Sequence, residues 1–441
     1  MVIEVFQPAR GTSDFLPEEM LKRNWVQDNI RRVFEDYGYE PLGTPAFESW
    51  EMLSIKSGED AVNQIYYFRD KSDRELGLRF EWTASLARVV ASHRELPKPF
   101  KRYAIGPVWR YERPSEKNRR EFWQMDADVV GVQDPIADTE VLAVAVDCLK
   151  RIGFESFVIR LNDRRLLEAL IESSGLPMER YLDVCRAVDK RDKIGDEGVV
   201  EELGKIGAPE DASRVLLKLV DRKGEPSEII EDVKTEIGDI LARTESGRIM
   251  KGLEACDDLY SIVEYSAEFG IESMIMVDLG LARGLDYYTG PVFEVYAQGY
   301  PEWGSIAGGG RYDNLVQLFG GEPTPMTGIS MGVDRLVPIL EKMGVFDAIS
   351  LAPKVLVVAA SESMRAKAVE VAQALRREGI STDLDLLGRG ISRQLEAANK
   401  RGIGKVVIVG ERELQEGCVS VRDMTTAEQR KVKIDRLKEE L

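Results

Sequence analysis

Histidine is the scarcest chemistry in this chain: one residue, His93, in 441. A Ser-His-Asp relay would have to use it, and a multi-histidine zinc or iron site cannot be built from it. Its setting, ASHREL, carries no nucleophile elbow, so it reads as an ordinary helix-face residue. Cysteine is nearly as sparse. Cys148, Cys185, Cys256 and Cys418 stand far apart with no C-x-x-C pair. That spacing suits reduced thiols better than a disulfide framework or a zinc ribbon, and no side-chain motif for a metal is found. Long apolar runs are also missing. VLVVAA and VVIVG fall far short of the ~20 residues of a membrane helix. The start, MVIEVFQPARGTSDFLPEE, is acidic early and lacks a long apolar core. These absences predict a soluble, cytoplasmic protein with no membrane partner. Positive charge is in deficit as well, 60 Lys and Arg against 77 Asp and Glu for a net −17. The total argues against a generally polybasic nucleic-acid binder and leaves a local basic patch open.

At ~100–200 residues per domain the length allows two to four domains. Residues 19–38 space Leu21, Trp25, Ile30, Val33, Phe34 and Tyr37 as a helix, ended by Gly38 and Pro41. IYYFRD and LGLRFEW are β-prone and flank the turn-like DKSDRE. A helix from Thr83 to about Glu95 follows, then FKRYAIGPVWRYER and EFWQMDADVVG as an antiparallel pair with a long charged connection, RPSEKNRR. Residues 138–152 predict a helix leading into the strand SFVIRLN. The stretch 163–267 is helical in pattern throughout and reads as an insertion. Antiparallel β character returns at SMIMVDLGLARGLDYYTGPVFEVYAQG, with strand-to-helix junctions at GGGRYDNL and TGISMGVDRL. From Pro353 strands and helices alternate, the mark of a small α/β module with a mainly parallel sheet. The expected architecture is therefore an α+β core on a mainly antiparallel sheet (1–162 and 268–345), interrupted by the helical insertion 163–267 and followed by an α/β domain over 352–441.

Charge is uneven along these parts. Residues 351–441 hold 17 Lys and Arg against 14 Asp and Glu, a net +3, which leaves −20 for 1–350. Within that acidic part, residues 98–120 carry +6, from Lys98, Lys101, Arg102, Arg110, Arg113, Lys117, Arg119 and Arg120 against Glu112 and Glu116. A solvated hairpin tip and a bound polyanion both fit this.

With histidine and cysteine set aside, a reaction site here must run on Arg, Tyr, Glu, Asp and Gln. Arginine's rigid fork suits phosphate and carboxylate oxygens. Arg110 reads as lying inside an apolar strand (PVWRYE), Arg283 sits in LARGLDYYTG, and Arg335 opens DRLVPIL. Ion pairs with Glu112, Asp286 or Asp334 would explain each one singly, whereas three in one sheet favour a shared anionic ligand. Glu81 and Thr83 end a strand and open a helix, where Thr83 could serve as the N-cap. Gln124 and Asp128, four apart in a strand, share a face, and Tyr287 and Tyr288 in theirs would point to opposite faces. GGGRYDNL is neither a P-loop nor a dinucleotide fingerprint. Its glycines suit a tight turn or a close backbone approach.

RGTSDFLPEE, LRFEWTASLAR, GPVWRYERPSEKNRREFWQ, LARGLDYYTGPVFEV, AGGGRYDNLV and TGISMGVDRL, in that order over residues 9–337, together resemble histidyl-tRNA synthetases, class II aminoacyl-tRNA synthetases. The C-terminal module resembles that family's anticodon-binding domain. The stretches around Arg110 and Arg335 point only to class II, and RGLDYYTG with GGGRYDNL to the histidine branch. The resemblance implies an ATP-dependent histidine–tRNA ligase that forms histidyl-adenylate and then charges tRNA. Arg110 would hold the ATP α-phosphate and the histidine carboxylate, with Glu112 at the nucleotide. Phe122 and Arg335 would sandwich the adenine by stacking and cation–π attraction. Glu81 and Thr83 would receive the α-amino group near Gln124, and Asp128, Tyr287 and Tyr288 the imidazole, with Tyr312 lining the same pocket. Arg283 would stabilise charge developing at the α-phosphate. Arg113, Arg119 and Arg120 would meet the acceptor end of the tRNA. Mg²⁺ would accompany ATP, and the family is typically a homodimer.

The sequence departs from the family's pattern in places. Lys117-Asn118-Arg119-Arg120 replaces a glycine–arginine–tyrosine–arginine run, Trp123 stands where histidine is usual, and Asp128 where a longer glutamate is commoner. Two rival readings share the motifs: a synthetase-like regulatory subunit of ATP phosphoribosyltransferase, and a synthetase for another amino acid. The C-terminal module with the three arginines opposes the first, and the RGLDYYTG–GGGRYDNL pair opposes the second.

Overall fold

The computed structural model describes residues 6–56, 62–115, 118–222, 224–282, 287–348 and 353–441. The chain divides into two compact units, residues 1–343 and 344–441. The first opens with helix α1 (Pro17–Asp36), whose N-terminal proline and first-turn Glu18 and Glu19 suit a helix start. Its buried stripe is Val26, Ile30, Val33 and Phe34. Leu21, expected on that stripe, is exposed.

Strand β1 (Glu40–Pro41) is followed by β2 (Phe47–Ser49), α2 (Trp50–Lys56), β3 (Tyr67–Arg69) and β4 (Glu75–Leu78). The last three strands form a small antiparallel sheet in the order β2-β4-β3. Helix α3 (Trp82–Ser92) leads to the long hairpin β5 (Phe100–Trp109) and β6 (Glu121–Val130), then to α4 (Ile136–Arg151) and β7 (Phe157–Asp163). Six helices come next: α5 (Arg164–Ser173), α6 (Tyr181–Asp189), α7 (Arg191–Lys205), α8 (Glu210–Val220), α9 (Pro226–Leu241) and α10 (Gly247–Glu268). The chain then returns through β8 (Ile275–Val277), β9 (Pro291–Ala297), β10 (Ser305–Arg311), α11 (Leu315–Leu318), β11 (Met326–Gly332) and α12 (Val333–Lys342).

Eight strands make the main sheet, in the order β1-β5-β6-β11-β10-β9-β7-β8. Only the pairs β1/β5 and β7/β8 at its edges are parallel. Its two faces differ by the two-residue period of a strand. Tyr103, Met125, Ala127, Val129, Ile329 and Met331 fall on one face and are buried. Phe34 of α1 packs on Tyr103 there, ring centroids 5.5 Å apart. On the other face Leu86, Ala87 and Val90 of α3 cover one end by packing on Phe100, Val130 and Met326. Ala104 and Val108 pack on Trp82 there, and the same face carries Gln124, Asp126, Asp128, Ser330, Gly308, Gly310 and Gly328.

The second unit runs β12 (Val355–Ala359), α13 (Arg365–Arg377), β13 (Thr382–Leu384), α14 (Ile391–Lys400), β14 (Lys405–Val409), α15 (Glu411–Gln415), β15 (Cys418–Asp423) and β16 (Gln429–Lys433). Its sheet order is β13-β12-β14-β15-β16. Pairings around β12 are parallel, but β14/β15 and β15/β16 are antiparallel. This corrects the expectation of a mainly parallel sheet. The link from β15 to β16 is a short turn, with Asp423 accepting from the Thr425 and Thr426 amides, and a turn that short cannot carry a parallel crossover.

Candidate functional site

The polar face of the main sheet is built in register rows. Arg102, Asp128, Gly328 and Gly310 stand side by side on β5, β6, β11 and β10. The next row on that face is Ala104, Asp126, Ser330, Gly308 and Glu294, and Gly106, Gln124 and Gly332 follow. The glycines leave the space. A Cβ at Gly328 would collide with the Asp128 carboxylate, and one at Gly310 would come within 2.5 Å of the Pro291 carbonyl and 3.1 Å of the Tyr288 ring. Of the two readings of these glycines, a tight turn or a close backbone approach, the second holds: they lie inside β10 against neighbouring backbone.

Above this floor lies a cavity of about 280 Å³ lined by Glu81, Thr83, Arg110, Glu112, Arg119, Phe122, Gln124, Asp128, Tyr287, Tyr288, Tyr312 and Arg335 among others. Twelve of the fifteen residues singled out from the sequence therefore converge. Arg113 and Arg120 are absent from the described lining, and Arg283, like Asp286 and Lys117, lies outside the described residues. Asp126, Glu294, Ser330 and Asn118 line the cavity too and were missed. The first could have been found, since it is two residues from Asp128 on the same strand face.

Arg110 stands just past the end of β5 and not within a strand, its guanidinium 4.4 Å from the Phe80 ring centre and 5.2 Å from Phe122. At the start of α3 the N-cap is Glu81, so Thr83 is inside the helix and does not cap it. This corner is braced from below. Arg79 stacks at 3.5 Å on Trp82 and donates to the carbonyls of Thr44, Pro45 and Pro107. Burial pushes the Arg79 guanidinium down to about 10, against the opposing pull of Glu48 and Asp126. Gln124 Oε1 is buried and has no hydrogen-bond partner among the described residues, so a donor from a ligand would satisfy it.

Tyr287 and Tyr288 precede β9 and belong to no strand, so the alternation that would separate them does not apply. Their rings lie 4.7 Å apart and both face the cavity, with Tyr312 at 5.8 and 6.4 Å. Burial pushes all three phenols up, which keeps them as neutral O–H groups. Tyr312 donates to Asp128 Oδ1, and Arg102 pairs with Oδ2 at 2.6 Å. Asp126, buried beside them, is pushed up to about 7 chiefly by desolvation.

The cationic run 98–120 does not form one surface patch. Arg102 is 0% exposed against Asp128, Lys101 pairs with Glu140 at 2.7 Å, and Arg119 lies 3.6 Å from Asp334 and stacks on Phe15. Arg120 covers Tyr111 and donates to the Glu112 carbonyl, bracing its own loop. Asp334 takes both terminal nitrogens of Arg23 at 3.0 and 3.1 Å and the Trp123 amide at 2.9 Å. Arg335 donates instead to the Ser305 carbonyl. The unusual Trp123 thus contributes its backbone to the loop's anchorage.

No group of three or more metal-binding side chains occurs among the described residues, and no helix there is long and apolar enough to cross a membrane. A family model described as histidyl-tRNA synthetase matches residues 11–336, and one described as an anticodon binding domain matches 354–441. The histidine–tRNA ligase of Pyrococcus furiosus is 39% identical over 432 residues, covering 98% of this chain and 97% of that one. The crystal structure of histidyl-tRNA synthetase from Nostoc sp. PCC 7120 superposes with a TM-score of 0.86 at 30% identity and covers 99% of both chains. A structure from Bacillus halodurans, titled an ATP phosphoribosyltransferase regulatory subunit/histidyl-tRNA synthetase, is similar at a TM-score of 0.74 and 25% identity, covering 89% of this chain and 96% of that one.

Proposed function

The chain belongs to the histidyl-tRNA synthetase family, and on that premise we propose how its cavity performs the work of an ATP-dependent histidine–tRNA ligase. Histidine and ATP give histidyl-adenylate and pyrophosphate, and histidine then passes to the 3′-terminal ribose of its tRNA. The observation that carries the reading is the convergence, in one cavity, of Arg110 and Arg335, the Phe122 ring, and the acids Glu81 and Asp128.

Arg110 binds the α-phosphate and the amino-acid carboxylate together, which sets the attacking oxygen in line with phosphorus. Positioning of this kind supplies much of the acceleration in phosphoryl chemistry. Phe122 and Arg335 enclose the adenine, with Glu112 alongside. Glu81, Thr83 and Gln124 receive the α-ammonium group, and the orphaned Gln124 oxygen supports that role. Asp128 with Tyr287, Tyr288 and Tyr312 takes the imidazole. Arg283 stabilises the charge that grows on the α-phosphate as pyrophosphate leaves. Mg²⁺ suits the site as a cation carried in by the nucleotide, because Glu112 and Glu294 offer hard oxygen donors and Mg²⁺ commonly takes one or two carboxylates plus phosphates. When bound it supplies neutralisation of phosphate charge.

Arg113, Arg119 and Arg120, with the +3 C-terminal module, serve as contacts for the tRNA. Exposed Phe47, Tyr67 and Phe68 on the three-stranded sheet support pairing with a second copy of the chain. The domain limits that go with this reading are a core over 1–162 and 268–345, an insertion over 163–267 and an anticodon-binding domain over 352–441. The cytoplasm is the compartment of this work.

ATP–pyrophosphate exchange measured with each of the twenty amino acids tests the reading. Histidine alone should support exchange, and Arg283→Ala should lower it by about 10²–10³-fold, the usual cost of one lost charge-stabilising donor, with the melting temperature unchanged. Near-normal exchange in that variant would refute the assignment of Arg283. Preference for another amino acid would refute the substrate.

A further inference from the structure

Behind the amino-acid pocket sits a charge that no recognition of substrate requires. Arg102 is 0% exposed, stands directly across from Asp128 on the neighbouring strand, and holds its Oδ2 at 2.6 Å. None of the three guanidinium nitrogens of Arg102 makes a hydrogen bond among the described residues, so its tie to Asp128 is an ion pair. An arginine cannot shed its charge to relieve burial, so its carboxylate neighbours are what make it tolerable there. Tyr312 closes the other oxygen of Asp128. The glycine at 328 gives the carboxylate its place, since any Cβ would strike it. Asp128 is thereby held by one donor, the Tyr312 hydroxyl, and matched in charge by Arg102.

We propose that Arg102 is a positioning residue that balances the charge of Asp128, so that this acid takes the uncharged ring of histidine and rejects imidazolium and other cationic side chains. The proposal rests on the histidine-activating reading above. A lone buried carboxylate would favour a cationic ring. A carboxylate already paired offers an acceptor for one ring N–H without the charge that would repay desolvating a cation. Asp128 and Arg102 are faced by Asp126 on the same strand, Glu81 ahead of α3, Tyr39 after α1, and Tyr288 and Tyr312 across the cavity. The tyrosines are neutral. Asp126 titrates within the working range and needs its own control.

The test is the pH dependence of histidine-supported ATP–pyrophosphate exchange between pH 5.5 and 8.5. Alongside it runs inhibition by an alanine bearing a triazole ring, which stays neutral over that range. In the unaltered protein the KM for histidine should rise about tenfold per pH unit below about 6.5, the ordinary imidazole value. The inhibition constant of the triazole should stay within about twofold. A flat KM, a KM that falls in acid, or a parallel rise for both compounds overturns the proposal.

Arg102→Met should raise the KM for histidine at least tenfold at pH 8, leave the KM for ATP within about threefold, and abolish the rise in acid. Arg102→Lys should restore the slope. Equal losses for histidine and ATP, or no change in either, overturn the positioning role. Should Arg102→Met not fold, the unaltered protein's two profiles decide alone. The slope must persist in Asp126→Asn, because its loss there would assign the effect to Asp126. Absence of any histidine-dependent exchange would instead overturn the substrate reading, a result distinguishable from a flat profile.

Discussion

The two sheets of this protein solve opposite problems with the same building block. In the C-terminal unit both faces of the inner strands are apolar: Val355 and Val357 pack on one side, and Leu356 and Val358 on the other. In the N-terminal unit one face of the main sheet is apolar, while the other buries Arg102, Gln124, Asp126 and Asp128 among glycines. Burying a large aliphatic side chain contributes about 1.5–3 kcal/mol, whereas a buried polar group costs stability unless it is partnered. The first sheet is arranged for cohesion. The second gives up part of that cohesion to keep a polar floor beneath a cavity, and the difference shows where function sits without reference to any motif.

Three substitutions would break or sharpen that contrast. Gly328→Ala puts a methyl group into the Asp128 carboxylate. It should raise the KM for histidine by about 10–100-fold in pyrophosphate exchange, with an overpacking cost of about 1–3 kcal/mol. A normal KM would show that the glycine row does not shape the floor. Val357→Ala removes two carbon atoms from a fully buried site. It should destabilise the C-terminal unit by about 2 kcal/mol, read from hydrogen exchange of the β12 and β14 amides. Histidine-dependent exchange without tRNA should be unchanged, and a matching loss of exchange would contradict the division of labour.

The smallest effect concerns Asp126, whose carboxyl is raised from 3.8 to about 7. The folded state therefore binds this proton more tightly than the unfolded one does. The stabilising contribution is fully present below about 3.8 and is lost as pH rises through about 7. Asp126→Asn removes the titration, so its melting temperature relative to the parent should climb between pH 4 and 7 and level off above about 8. A constant difference across that range would contradict the raised acid.

Local pattern made much of this legible. The long hairpin, α1, the helices from Arg164 to Glu268 and the alternation after Pro353 follow from periodicity and from Gly and Pro punctuation. Gln124 and Asp128 share a face as the two-residue period requires. The misreadings came where an element ended. Arg110 lies beyond β5, and Tyr287 and Tyr288 lie before β9, because β-prone composition continues past the last ladder hydrogen bond. The hairpin β15/β16 was missed because QRKVK carries too much charge to look like a strand, although its Val432 is buried.

The sequence by itself determined the chemistry available, a site of arginine, carboxylate and tyrosine with one histidine left outside it, and determined the elements on which that chemistry is mounted. Only the tertiary structure decided which charges meet. Arg102, 26 positions before Asp128, reads in the chain as one more member of a basic run. Register across β5 and β6 turns it into the buried counter-charge of the pocket. A strand's period says which residues share a face, but the partner strand and its offset follow from long-range packing, and a slip of one residue would have sent Arg102 to the other side of the sheet.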